Sequence, residues 1–148
     1  MKTWLLTWNP GLRPWDDVLN GYNEMYGEVN SAGFSYCKWT CGVNKSIAPG
    51  DRIFLIRLGV EPRGMIASGY AVSPVFEGTH WDPDKRAAGR RARRVYIRFD
   101  KILDINGRIL GMDELKQISG SMSWSSQSSG ISIPDETASL LELAWEKY

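Results

Sequence analysis

Histidine and cysteine are scarce in this chain: of 148 residues, only His80 carries an imidazole and only Cys37 and Cys41 carry thiols. The cysteines sit four apart with no second pair, so a zinc site of the usual nitrogen and sulfur kind cannot be assembled. The two thiols are expected to be free and partly buried, and no metal or other cofactor is expected. A serine or threonine nucleophile has a single possible imidazole base, and nothing in the sequence offers that base a partner. Glycine-rich phosphate loops of the P-loop or dinucleotide type are also missing. No stretch approaches the roughly 18 uninterrupted apolar residues of a membrane span, so no membrane contact is expected. The N-terminus, MKTWLLTWNPG, has neither a long apolar core nor a small-residue cleavage site, which points away from a signal peptide and toward the cytoplasm.

The chain is long enough for one domain with a substantial core, and its 43% hydrophobic and 24% charged content is ordinary for a globular protein. The net charge of +1 conceals an asymmetry. Residues 85–98, KRAAGRRARRVYIR, hold seven of the eighteen lysines and arginines and no acid, leaving eleven bases against all seventeen acids elsewhere. Such a concentration is an electrostatic footprint for a polyanion; the alternative is a solvated loop whose arginines pair with distant acids.

The period-two pattern of Lys2–Trp8 predicts a strand with Trp4, Leu6 and Trp8 on one face, ended by Asn9-Pro10-Gly11. Trp15, Val18, Leu19, Tyr22, Met25, Tyr26 and Val29 follow at helical spacing, with Asp16 and Asp17 suited to the helix N-terminus. Further strands are predicted at Arg52–Leu58, Gly64–Val72 and Arg94–Asp100, a hairpin at Asn106-Gly107, and a short helix over Met112–Ile118. The stretch SGSMSWSSQSSGIS reads as an ordered loop, because a linker has no use for Trp124. A last helix follows Pro134, with Asp135 and Glu136 in its first turn and Leu140, Leu141, Ala144, Trp145 and Tyr148 facing inward. About five or six strands with peripheral helices predict an α+β fold built on a small β-barrel.

Pro83-Asp84 and Glu114-Leu115-Lys116 imitate the two acids and lysine of a metal-dependent nuclease. That pattern needs both acids at the ends of adjacent strands, whereas GMDELKQI reads as a helix and Pro83-Asp84 as part of a charged loop. Tryptophan, by contrast, is abundant. Of seven, Trp4 and Trp145 lie on apolar faces and read as core, while Trp8, Trp39, Trp81 and Trp124 stand at strand ends or in polar loops. Four in that context suggest an aromatic-lined cleft; packing is the other reading.

WLLTWNP at 4–10, WTCG at 39–42, GDRIFLIRLG at 50–59, EPRGMIASG at 61–69, HWDP at 80–83 and WSSQSSGISIP at 124–134, in this order, resemble the EVE domain. That family belongs to the PUA-like superfamily, with the YTH and SRA readers of modified bases. The chain is most similar to the EVE domains at the N-terminus of bacterial HNH-type restriction endonucleases that cut modified DNA, although one histidine cannot supply an HNH motif.

The resemblance implies a single PUA-like domain over 1–148 whose pocket accepts a base flipped out of double-stranded DNA. Trp39 matches a cage tryptophan of the YTH relatives and Trp81 a second cage aromatic, while Trp8 and Asn9 fall where polar pocket residues lie. If the base is cytosine, Asn9, Thr40 and Gln127 complement its donor and acceptors, and serines 125–129 suit a hydroxymethyl group. Lys45, Arg90, Arg91, Arg93 and Arg94 would hold phosphates, making binding salt-dependent. The expected function is a monomeric, non-catalytic reader of 5-methylcytosine or 5-hydroxymethylcytosine, the recognition module of a modification-dependent restriction system with an HNH nuclease on the same polypeptide or a partner. Two alternatives stay open: an RNA reader of a methylated base such as N6-methyladenosine, and the metal nuclease.

Overall fold

The computed structural model describes residues 1–12, 21–80, 82–126 and 128–148. Its elements are β1 (Thr3–Trp8), α1 (Tyr22–Ala32), β2 (Ser35–Thr40), β3 (Arg52–Arg57), β4 (Gly64–Ala71), β5 (Phe76–Thr79), α2 (Pro83–Ala87), β6 (Arg91–Ile102), β7 (Leu110–Gly111), α3 (Met112–Ile118), β8 (Ile131–Ile133) and α4 (Asp135–Trp145). The strands form one sheet in the order β2-β6-β4-β3-β1-β8, with β5 added to β6 and β7 to β4. β1 and β3 run parallel; the other pairings are antiparallel.

Alternation divides the core in two. Trp4, Leu6 and Trp8 of β1 join Ile53, Leu55, Trp39 and Phe99 in one cluster, over which α1 lays Met25 and Val29. Leu5 faces the other way, with Phe54 and Ile56, toward Leu115 of α3 and Leu141 and Trp145 of α4. β3 is therefore covered on both faces, which is why it reads as an unbroken apolar run rather than an alternating one. Asp51, just before β3, accepts hydrogen bonds from the Trp4 indole (2.8 Å) and the Lys2 amide (3.1 Å), setting the parallel register of β1 on β3. Irregularities at Leu55/Ile56 and Ser68/Gly69 shift the ladders on either side of β4 and bend the sheet as bulges do.

The α+β class and the peripheral helices are as expected, with eight strands among the described residues in place of five or six. Four elements were not expected: β2, β5, α2 and β8. The turn at Asn106-Gly107 exists, with the Gly107 amide bonded to Asp104 O at 2.9 Å, but it does not close a hairpin. β7 pairs with Gly64 and Met65 of β4 instead of returning along β6. Leu140 points to solvent, and Ala138 takes the inward place on α4. The helical spacing from Trp15 holds from Tyr22 onward; residues 13–20 lie outside the described residues. Cys37 and Cys41 are buried thiols, and burial pushes that of Cys41 up to about 11.

Candidate nucleic-acid interface

β1 and β2 are not hydrogen-bonded neighbours in the sheet, and the chain before β8 fills the gap between their ends. Ser129 bridges them: its hydroxyl accepts from the Thr7 amide (3.2 Å) and donates to Thr40 O (2.8 Å). The Trp39 indole donates to Thr7 O at 3.0 Å, and Asn44 Nδ2 donates to Gly130 O at 2.6 Å. Glycine is required twice here. A Cβ on Gly42 (φ 60) would lie 2.7 Å from Ser129 O, and one on Gly130 (φ 85) would lie 2.5 Å from Cys41 O.

Above this seam opens a cavity of about 590 Å³, within the range of small-ligand sites. The ends of β1 and β2 contribute Thr7, Asn9, Thr40 and Val43; the chain after β3 contributes Leu58, Gly59 and Arg63. The start of β6 adds Arg91 and Arg93, the end of β5 adds Glu77 and His80, and the serine loop adds Ser125, Ser128 and Ser129. Among the described residues, three arginines against one glutamate make the lining positive, and hydroxyls with a few aliphatic side chains make it suited to a polar ligand. The Thr7 hydroxyl is buried with no hydrogen-bond partner among the described residues. Asn9 Oδ1 is committed to the Gly11 amide at 3.0 Å, which turns the chain out of β1.

His80 went unassigned from sequence and stands on the cavity wall. Its Nδ1 accepts the Asp82 amide hydrogen at 3.0 Å, leaving the ring hydrogen of the neutral form on Nε2. Burial, with Lys85, Arg94 and Arg90 nearby, pushes its pKa down against the opposing pull of Asp82. Arg63, Glu77 and Thr7 were also missed, because their place depends on how five strand ends converge; no local pattern marks it.

Of the expected base-contacting residues, Asn9 and Thr40 line the cavity, while Trp81 and Gln127 lie outside the described residues. Two expectations are corrected. Trp39 is fully buried in the barrel core, because β2 is a strand that turns Ser35, Cys37 and Trp39 inward. Trp8 is 6% exposed, stacked on Tyr22 with ring centres 6.0 Å apart and the Arg57 guanidinium 5.4 Å from its ring. Trp124 is likewise core, its indole capped by Ser119 O at 2.9 Å. The described cavity wall thus carries no tryptophan.

Among the expected phosphate contacts, Arg91 and Arg93 reach the cavity and Arg90 is exposed beside it in sequence. Arg94 is corrected: it is 3% exposed, its side chain lying across Gly78 of β5. Lys45 is exposed but outside the cavity lining. The nuclease-like acids lie apart, Asp84 in α2 before the start of β6 and Glu114 in α3 beyond its twelve-residue length. Glu114 accepts the Tyr148 hydroxyl at 2.9 Å. Among the described residues no cluster of three His, Cys, Asp or Glu side chains is placed to hold a metal.

No protein-family model matches the chain, and no curated protein is similar to it in sequence. Solved structures are similar in fold. A hypothetical protein from Leishmania major superposes with a TM-score of 0.62 at 16% identity, covering 99% of this chain and 96% of its own. Human THYN1, in complex with DNA containing 5-methylcytosine, gives 0.58 at 12% identity over 100% and 99%. An ASCH protein from Zymomonas mobilis gives 0.55 at 15% over 96% and 94%. The chain has a PUA-like α+β fold.

Proposed function

We propose that this chain reads modified cytosine in double-stranded DNA by accepting the flipped base in the cavity at the end of the barrel. One observation carries the reading: a cavity of about 590 Å³ that joins arginines 63, 91 and 93 to a wall of hydroxyl, amide and aliphatic groups. Phosphates suit the first set and a base edge the second. The likeness to human THYN1, whose solved complex contains 5-methylcytosine DNA, supports the same substrate class.

Extruding a base costs a few kcal/mol, and stacking on a ring returns about 1–3 kcal/mol. With Trp39 and Trp8 in the core, we assign that return to His80 and to Trp81, the cage aromatic the resemblance implies. Asn9 and Thr40 read the base edge. One methyl group contributes only about 0.8 kcal/mol, some fourfold in affinity, so preference for modified cytosine also rests on close contact with Val43 and Leu58. The module performs no catalysis and acts as a monomer in the cytoplasm. It serves a modification-dependent restriction system in which an HNH nuclease, on the same polypeptide or a partner, makes the cut.

The test is an equilibrium binding panel at one salt concentration. It comprises duplexes with a central cytosine, 5-methylcytosine, 5-hydroxymethylcytosine or N6-methyladenine, and a single-stranded RNA with N6-methyladenosine. The reading requires a modified-cytosine duplex to bind tightest. Tightest binding of the RNA would replace it with a methylated-RNA reader, and magnesium-dependent cleavage abolished by Asp84→Ala would replace it with the nuclease.

A further inference from the structure

The outward face of β2, β6 and β4 carries tyrosines and cations in alternation. Tyr36 of β2 and Tyr70 of β4 both stand opposite Arg98 of β6, one on each side, so the three share a face in the order tyrosine, arginine, tyrosine. One step along, Lys38 of β2 stands opposite Tyr96 of β6. Directly opposed residues have Cβ atoms about 4.5–5.5 Å apart, so these five side chains form one continuous patch. Tyr36 is 51% exposed, Tyr96 43% and Tyr70 37%.

Neighbours hold the rings in place. Tyr96 stacks on Phe76 at 5.3 Å with an interplanar angle of 24°. Phe34 meets Tyr36 edge-on at 5.6 Å, and the Arg98 guanidinium lies 4.6 Å from the Phe34 ring. Asp100, the next outward acid on β6, lies 3.8 Å from Arg52, whose guanidinium is itself 4.7 Å from the Tyr70 ring. Glu142 accepts from the same guanidinium twice at 3.1 Å, so both carboxylates near Tyr70 are turned to Arg52, while Lys38 and Arg98 flank the tyrosines.

We infer that this face is a second nucleic-acid surface, a stacking platform for single strands distinct from the cavity. Rings interleaved with cations on an open sheet match a chain of bases joined by phosphates, since stacking tolerates any base and the cations follow the backbone. A duplex hides its base faces, so the occupant is single-stranded. The cavity takes Arg91, Ala92 and Arg93 from the first residues of β6, and none of the five side chains of the patch lines it, so the two surfaces are separate.

The test is fluorescence anisotropy with a labelled oligothymidine, an oligouridine and an abasic strand of equal length. Both base-bearing strands are expected to bind more tightly than the abasic one. Tyr36→Ala/Tyr96→Ala should weaken them about tenfold per ring or more, and Tyr36→Phe/Tyr96→Phe should leave them within a few-fold of wild type. The modified-to-unmodified duplex ratio, which reads the cavity, should be unchanged in both variants; both should be folded at the assay temperature, the alanine variant melting lower because it loses its contacts with Phe34 and Phe76. Equal binding of the abasic strand, or unchanged binding by the alanine variant, overturns the platform. So does displacement of a cavity-bound modified duplex by oligothymidine, which would place the single strand in the cavity. Sedimentation showing a dimer that Tyr36→Ala dissociates would make this face a contact between protein copies and overturn it as well.

Discussion

The Trp39 indole donates its hydrogen to the Thr7 carbonyl at 3.0 Å, tying the end of β2 to the end of β1 from inside the barrel. The same Thr7 presents its backbone amide to Ser129 and lines the cavity on its other side. Trp39 is thus the floor beneath the site, one layer below any ligand.

Its replacement should therefore be a stability event. Trp39→Ala is expected to cost about 3–5 kcal/mol, as large core truncations do, or about 2–4 °C of melting temperature per kcal/mol for a chain of this size. Trp39→Phe should cost less but still lose the indole hydrogen bond, about 0.5–1.5 kcal/mol. In protein that remains folded, the modified-to-unmodified DNA ratio should hold. A lost ratio at an unchanged melting temperature would return Trp39 to the site.

Much of the scaffold was legible before the structure. β1, β3, β4, α3 and α4 announce themselves by periodicity, proline or acidic first turns, all local signals. β2 was not read, although Ser35, Cys37 and Trp39 alternate with Tyr36 and Lys38. The polar residues that follow Trp39 mimic an exposed loop, whereas the alternation itself marks a buried face. β8 is three residues long and gains its identity only by pairing with β1, a long-range event with no local trace. The cavity lining divides the same way: Asn9, Thr40, Arg91 and Arg93 are marked in the sequence by a strand end, the Trp39–Gly42 motif and the basic run. His80, Arg63 and Thr7 enter through convergence of distant segments.

The arginine run separates into two behaviours. Arg91→Ala and Arg93→Ala should weaken modified and unmodified duplexes alike and reduce the slope of log affinity against log salt by about 0.9 for each phosphate no longer neutralised. Arg94→Ala should lower the melting temperature instead, because that side chain is packed inside. Salt titrations and thermal melts of the three variants check the division. A flattened slope in Arg94→Ala with no thermal cost would contradict it.

His80 should leave an acid-side signature. Its pKa is depressed in the folded protein, so the unfolded chain takes up the proton first as pH falls. Its contribution to stability is flat above the ordinary histidine value of about 6.5 and becomes unfavourable as pH drops from there through the folded value. His80→Gln should remove that part of the pH dependence, read as the difference between wild-type and variant denaturation midpoints from pH 8 to pH 5. A constant difference across that range would show that His80 is not held neutral.

If the modified base enters the cavity, filling the cavity must abolish discrimination. Ser128 is an exposed residue on its wall, so Ser128→Trp places a large ring in the opening at little expected cost to the fold. Dissociation constants for duplexes with a single 5-methylcytosine, 5-hydroxymethylcytosine or cytosine, measured on wild type and Ser128→Trp at one salt concentration, give the discrimination ratio directly. Wild type should show a clear preference for modified cytosine that collapses to near unity in Ser128→Trp, with salt-sensitive binding of all three duplexes retained. A preference that survives the filled cavity, or no preference in wild type, would contradict entry of the modified base into the cavity.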